Sequence, residues 1–134
     1  MSFKNKIFRL NHKKKIDIPV LLICFDRPKE LKTVLKLMKK YKVKNLYIFK
    51  DGYDGNDTKN IKKHEQIKRN LKNLENKKIA KIYCNTKNLG KKFGPPKGIS
   101  WFFKKVKMGV IIEDDTLPSK SFLLIDRKST RLNS

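Results

Sequence analysis

Acidic residues are scarce in this chain. Twelve Asp and Glu stand against 35 Lys and Arg, a formal net charge of +23 over 134 residues. Cysteine is scarcer still. With only Cys24 and Cys84 there is no disulfide framework, and neither forms zinc-ligand spacing with His12 or His64. Each cysteine ends an apolar run and is expected to be a small buried hydrophobe in a reducing compartment. Long apolar runs are also missing. The longest, Val20–Phe25, falls far short of the roughly 20 residues that span a bilayer. The basic start, Met1–Lys15, has neither the apolar stretch nor the small-residue cleavage site of a signal peptide. A cytoplasmic location is expected. There is no internal repeat and no GxGxxG or GxxxxGK[ST], so the common dinucleotide and P-loop fingerprints are absent.

What is abundant is lysine. Thirty of the 35 basic residues are Lys, and Asn, with 11 copies, is spread over the whole chain. A charge this large invites a nucleic-acid reading. Arginine, however, is the usual choice for bidentate phosphate and base contacts, and a Lys/Asn/Ile surplus is what an AT-rich coding sequence gives whatever the function. Much of the charge is therefore background.

The apolar residues are ordered. Residues 1–15 form a basic leader with little periodicity. Ile18–Phe25 is a continuous β-branched run, the mark of a strand buried on both faces. Asp26-Arg27-Pro28 is helix-start chemistry, and Leu31, Val34, Leu35, Met38 and Tyr41 recur at helical spacing. Leu46–Phe49 predicts a second strand, ending in the turn-forming loop Lys50–Asp57. Ile61, His64, Ile67, Leu71 and Leu74 make the inner stripe of a second helix, and Ile79–Cys84 is a third strand. Asn85–Pro96 is expected to be a loop, and Ile99, Phe102, Phe103 and Val106 define a third helix. Val110–Ile112 is a fourth strand, running straight into Glu113-Asp114-Asp115. This alternation predicts an α/β fold: a mostly parallel, twisted, Rossmann-like sheet with flanking helices. Ligands in such sheets sit at the carboxyl ends of the strands. That rule selects Asp26/Arg27, Asp51 and its loop, the Asn85–Gly94 loop, and Glu113–Asp115.

Three adjacent carboxylates at the end of a buried strand repel one another, and partial burial aggravates the conflict. A divalent cation relieves it, and hard oxygen ligands select Mg²⁺ or Mn²⁺. Alternation along an extended strand would put Glu113 and Asp115 on one side and Asp114 on the other. The bland alternatives are a solvated acidic turn before Leu117-Pro118, a surface ion pair for Arg27, and a plain tight turn at Asp51-Gly52. Trp101, Phe102 and Phe103 are read as core, His64 as a partly buried helix residue.

Phe25-Asp26-Arg27-Pro28, Lys50-Asp51-Gly52, Asn88-Leu89-Gly90, Trp101-Phe102-Phe103 and Glu113-Asp114-Asp115, followed by Leu117-Pro118, occur in an order that resembles the nucleotide-sugar half of GT-A glycosyltransferases. The branch most similar is that of N-acetylglucosaminyltransferase I and bacterial glycosyltransferase family 2. The resemblance covers residues 16–125. It implies a transferase that moves a sugar from a nucleotide diphosphate, with uridine as the expected nucleoside, to an acceptor it does not identify. Arg27 would lie near the nucleotide, Asp51 would bond the base, and Glu113 and Asp114 would line the ribose and sugar-diphosphate region. Asp115 would coordinate Mn²⁺ or Mg²⁺. Lys91 or Lys92 could meet the phosphates. No residue is assigned as catalytic base.

GT-A enzymes also need a second, acceptor-binding half. Only about ten residues follow Asp115 before the pattern fails, and Phe122–Ile125 is where a further helix or strand would begin. Residues 126–134 resemble translated sequencing-adaptor read-through. The chain is therefore expected to be the truncated donor half, inactive in transfer by itself. The alternative is a basic nucleic-acid-binding α/β module. It is disfavoured because the lysines are dispersed over several helices while the one acidic cluster sits at a strand's carboxyl end. Peripheral contact with the anionic inner face of a membrane would be compatible with a transferase.

Overall fold

A computed structural model describes residues 5–9, 18–53, 55, 58–114 and 121–126. The described elements are β1 (Asn5–Arg9), β2 (Val20–Cys24), α1 (Pro28–Lys40), β3 (Leu46–Lys50), α2 (Thr58–Asn76), β4 (Ala80–Cys84), α3 (Gly90–Phe103), β5 (Met108–Glu113) and β6 (Ser121–Asp126). They build one six-stranded sheet in the order β1-β6-β5-β2-β3-β4. The four adjacent strands β5-β2-β3-β4 are all parallel. The α/β, Rossmann-like expectation is met, with three flanking helices.

The topology follows from crossover handedness. From β2 the chain steps through α1 to β3 and through α2 to β4, and both helices pack on one face. It then returns through α3 to β5 on the other side of β2. A right-handed crossover in the reverse direction must lie on the opposite face, and α3 does. Val20, Leu22, Leu46, Ile48, Val110 and Ile112 pack with Leu31, Val34, Met38, Ile67 and Leu71 on the α1/α2 face. Leu21, Ile23, Tyr47 and Phe49 pack with Phe102 and Phe103 on the α3 face. All five residues of β2 are buried, as a strand covered on both sides requires.

Two segments depart from the sequence reading. The supposed basic leader contains a strand: Asn5–Arg9 pairs antiparallel with Ser121–Asp126, which in turn pairs antiparallel with β5. The third helix begins at Gly90, inside the stretch expected to be a loop, and carries Pro95 and Pro96 within it. Those prolines supply no N–H to the carbonyls of Lys91 and Lys92. The helix starts there nonetheless because its first turn is anchored from outside, as described below.

The first two helices end alike. Val43 N–H donates to the Met38 carbonyl and Lys42 N–H to that of Lys39; Ile79 N–H donates to Leu74 and Lys78 N–H to Glu75. Both are Schellman turns, which place one residue in the left-handed region. Here that residue is Lys, at φ 55° for Lys42 and 58° for Lys78, where glycine is usual.

Candidate functional site

The parallel strands change direction of propagation at β2, between β5 and β3. A cleft of about 390 Å³ opens at the carboxyl ends of these three strands, a size typical of small-molecule sites, ~300–1,000 Å³. Arg27, Asp51, Glu113 and Asp114 all line it. These are the four described residues that sequence reasoning placed at a nucleotide sugar. Asp115, the expected metal ligand, lies outside the described residues. Apolar walls come from Ile23, Phe25, Phe49 and Pro95.

Asp51 is held by donors from three segments of the chain. It follows β3 directly and is 6% exposed. Its Oδ1 accepts from Gly52 N–H at 2.9 Å and Leu89 N–H at 3.0 Å. Its Oδ2 accepts from Gly90 N–H at 3.0 Å. Asn85 and Asn88 amides add contacts at 3.4 Å. Leu89 is right-handed and Gly90 has φ 79°. That succession turns two consecutive N–H groups toward one carboxylate, a nest of the kind that binds anions. Asp51 therefore caps α3 from another element, and this is the external anchor that starts the helix before its prolines. Gly94 makes room for it, and Gly52 makes room for the Lys87–Asn88 backbone. A Cβ on Gly94 would stand 2.8 Å from Asp51 Oδ2, and one on Gly52 would stand 2.6 Å from the Lys87 carbonyl oxygen.

The acidic run closes β5. The strand ends at Glu113, and Asp114 adds one more rung to its ladder with β2, its N–H donating to the Ile23 carbonyl at 3.1 Å. Asp114 Oδ2 accepts from Phe25 N–H at 3.3 Å, and the residue is 5% exposed. Glu113 and Asp114 both line the cleft, which sits across the end of the strand. Of the two lysines considered for phosphate contact, Lys91 lines the cleft. Lys92 Nζ instead lies 5.5 Å from the Phe93 ring centroid.

Lys50, read from sequence only as the start of a turn, is a fully buried residue beneath this site. Its ammonium donates to the Asp51 carbonyl at 2.7 Å and lies 2.6 Å from His64 Nδ1. His64 is itself boxed by the rings of Phe25 and Tyr53. Burial lowers the Lys50 pKa below its ordinary value. In register, Cys24, Lys50 and Cys84 form a row across β2, β3 and β4. Burial, followed by the charge of Asp114, raises the Cys24 pKa, and partial desolvation at the sheet edge raises that of Cys84. The thiols are two strand spacings apart, roughly 9.6 Å, too far to form a disulfide. Both are free. Cys24 is core as expected, while Cys84 is exposed, contrary to its reading as a buried hydrophobe. The sequence did carry a signal for Lys50. It continues the inward parity of Leu46 and Ile48.

Comparisons with protein-family models, curated proteins and solved structures find no match to the chain. Among the described residues no group of three or more His, Cys, Asp or Glu is placed to hold a metal ion, and no helix is long and apolar enough to cross a membrane.

Proposed function

We propose that this α/β unit is the nucleotide-sugar-binding part of a metal-dependent GT-A glycosyltransferase, using a uridine diphosphate sugar as donor. The observation that carries the proposal is the convergence of Arg27, Asp51, Glu113 and Asp114 on one cleft at the carboxyl ends of β2, β3 and β5, where open α/β sheets bind ligands.

The side chains divide the work by charge. Arg27 and Lys91 are the cations of the cleft and suit the diphosphate. Glu113 and Asp114 are acceptors for ribose or sugar hydroxyls. Asp51 is a positioning residue. Its oxygens are already engaged by protein donors, so a base bonded to it would compete with the cap of α3. The donor chemistry of Glu113–Asp115 fits Mn²⁺ or Mg²⁺ in kind, since such ions take one or two carboxylates alongside phosphate oxygens. Asp115 would hold the ion, which when bound supplies positive charge to the departing diphosphate.

The test is calorimetry of the folded chain with UDP, with and without Mn²⁺. Binding that requires Mn²⁺ is expected. Arg27→Ala should weaken it by about tenfold or more, the worth of a charged hydrogen bond, and Asp115→Ala should abolish the metal dependence. A well-folded sample giving no heat with UDP and Mn²⁺ overturns the proposal.

A further inference from the structure

A second hollow lies at the opposite, amino-terminal ends of β3 and β4. Its volume is about 590 Å³, larger than the cleft. Leu46 and Ala80 line its base, and Tyr47 and Trp101 form a wall. Its rim is basic: Lys44, Lys78, Lys81 and Lys105 line it, against Glu75 as the single acidic residue. We infer that this hollow is a binding site for a compact ligand carrying two or more phosphate groups.

Dispersed lysine alone does not explain the arrangement. The four lysines come from four separate segments: the turn before β3, the turn before β4, β4 itself, and the residues after α3. They meet around a concavity. At least one is held in place without a carboxylate. Lys81 Nζ donates to the Tyr47 hydroxyl at 3.4 Å and stands 5.2 Å from its ring centroid. Lys78 is fixed by the Schellman turn that ends α2, at φ 58°. The aromatic wall is not a stacking platform. Trp101 meets Tyr47 and Tyr83 edge to face, and the Tyr rings carry Lys81 and Lys97. Recognition therefore falls to the ammonium groups. Phosphates suit them because each offers several acceptor oxygens and high charge in a small volume. A second copy of the chain is a poor occupant. Among the described residues β4 has a strand partner on one side only, but pairing two such edges would bring the lysines of both copies together.

Trp101 is the only tryptophan of the chain, so its fluorescence reports this hollow directly. The full chain would be titrated with inorganic tripolyphosphate at physiological salt. A saturable change in Trp101 emission is expected. The exposed pair Lys78→Gln/Lys81→Gln should weaken binding by about tenfold or more, and Lys44→Gln/Lys105→Gln, which lies outside the regular elements, is an independent second pair. Lys62→Gln/Lys63→Gln, exposed on α2 away from the hollow, should stay within about twofold, since distant surface charges are screened. The proposal is overturned if emission does not saturate, or if all three pairs weaken binding alike, which would mean diffuse attraction to a cationic protein. It is equally overturned if a single-stranded oligodeoxythymidine competes for the lysines while tripolyphosphate does not bind, which would assign the surface to nucleic acid. The Mn²⁺-dependent part of UDP binding should be unchanged in the lysine pairs, so failure here and failure of the transferase reading give different results.

Discussion

On the face of the sheet covered by α1 and α2 the core is aliphatic, built from Val20, Leu22, Ile48, Leu31, Val34, Ile67 and Leu71. On the face covered by α3 it is largely aromatic, built around Tyr47, Phe49, Phe102 and Phe103 with Trp101 and Tyr83 packed against them. Branched aliphatic chains fill space in small units and leave the helices free to settle. Rings are large and rigid, and the α3 layer accommodates them through glycine. A Cβ on Gly98 would come within 2.6 Å of Phe49 Cγ, and one on Gly109 would collide with the Phe102 ring. One face is specified by periodicity, the other by matched bulk and absence of bulk.

The contrast can be broken most severely by removing a ring. Phe102→Ala is expected to lower stability by about 3–5 kcal/mol in denaturant unfolding, because Phe102 is fully buried at the centre of the aromatic layer. Adding a single carbon should be the next most damaging change. Gly98→Ala is expected to cost about 1–3 kcal/mol, with near-ultraviolet circular dichroism changed by movement of the aromatic side chains. Deleting a single carbon on the other face should matter less. Ile48→Val should cost about 0.5–1.5 kcal/mol and leave that spectrum unaltered. If Ile48→Val proves costlier than Gly98→Ala, the two faces do not differ as described.

The aliphatic face has polar intrusions, among them Lys50 with His64 against it, and Lys50 allows a subtler test. Burial lowers its pKa from the ordinary 10.5. Between the folded-state value and 10.5 the unfolded chain binds a proton that the folded chain has shed, so this residue makes stability rise with pH. The raised thiol pKa values of Cys24 and Cys84 act in the opposite sense, reducing stability above the ordinary thiol value. Subtracting the profile of Lys50→Met from that of the natural chain suppresses the shared thiol contribution. The difference should grow in favour of Lys50 from pH 7 to 10; a flat or falling difference would refute the assignment. The smallest effect belongs to helix ends. Lys42→Gly relieves a left-handed lysine but loosens the unfolded chain, and a net gain of up to about 1 kcal/mol is expected in thermal unfolding.

The aliphatic face was also the more legible in sequence. The stripe Leu31, Val34, Met38 and the run Val20–Cys24 announce α1 and β2 because helix and strand periods are local properties. The beginning of α3 was not legible. Gly90, Gly94, Pro95 and Pro96 argue for a loop, and what overrules them is a carboxylate 39 residues earlier in the chain, Asp51. β1 was hidden for the same reason, since its partner is distant and its own residues show no period. The candidate site was legible as a set, because strand ends can be read from sequence and ligands gather there. Asp51 was expected to face a base, and its main engagement is with backbone N–H groups.

The pairing of β1 with β6 carries a consequence for the order of assembly. β1 is the first of the described strands in chain order, yet the residues it bonds to lie more than a hundred positions downstream. It cannot join the sheet until β6 has docked on β5. The four parallel strands form the body that must close first, and contacts between such distant segments are the slowest to form. The outer antiparallel pair is thus the last layer laid down and the first to open. Amide hydrogen exchange should be faster in Asn5–Arg9 than in Val20–Cys24.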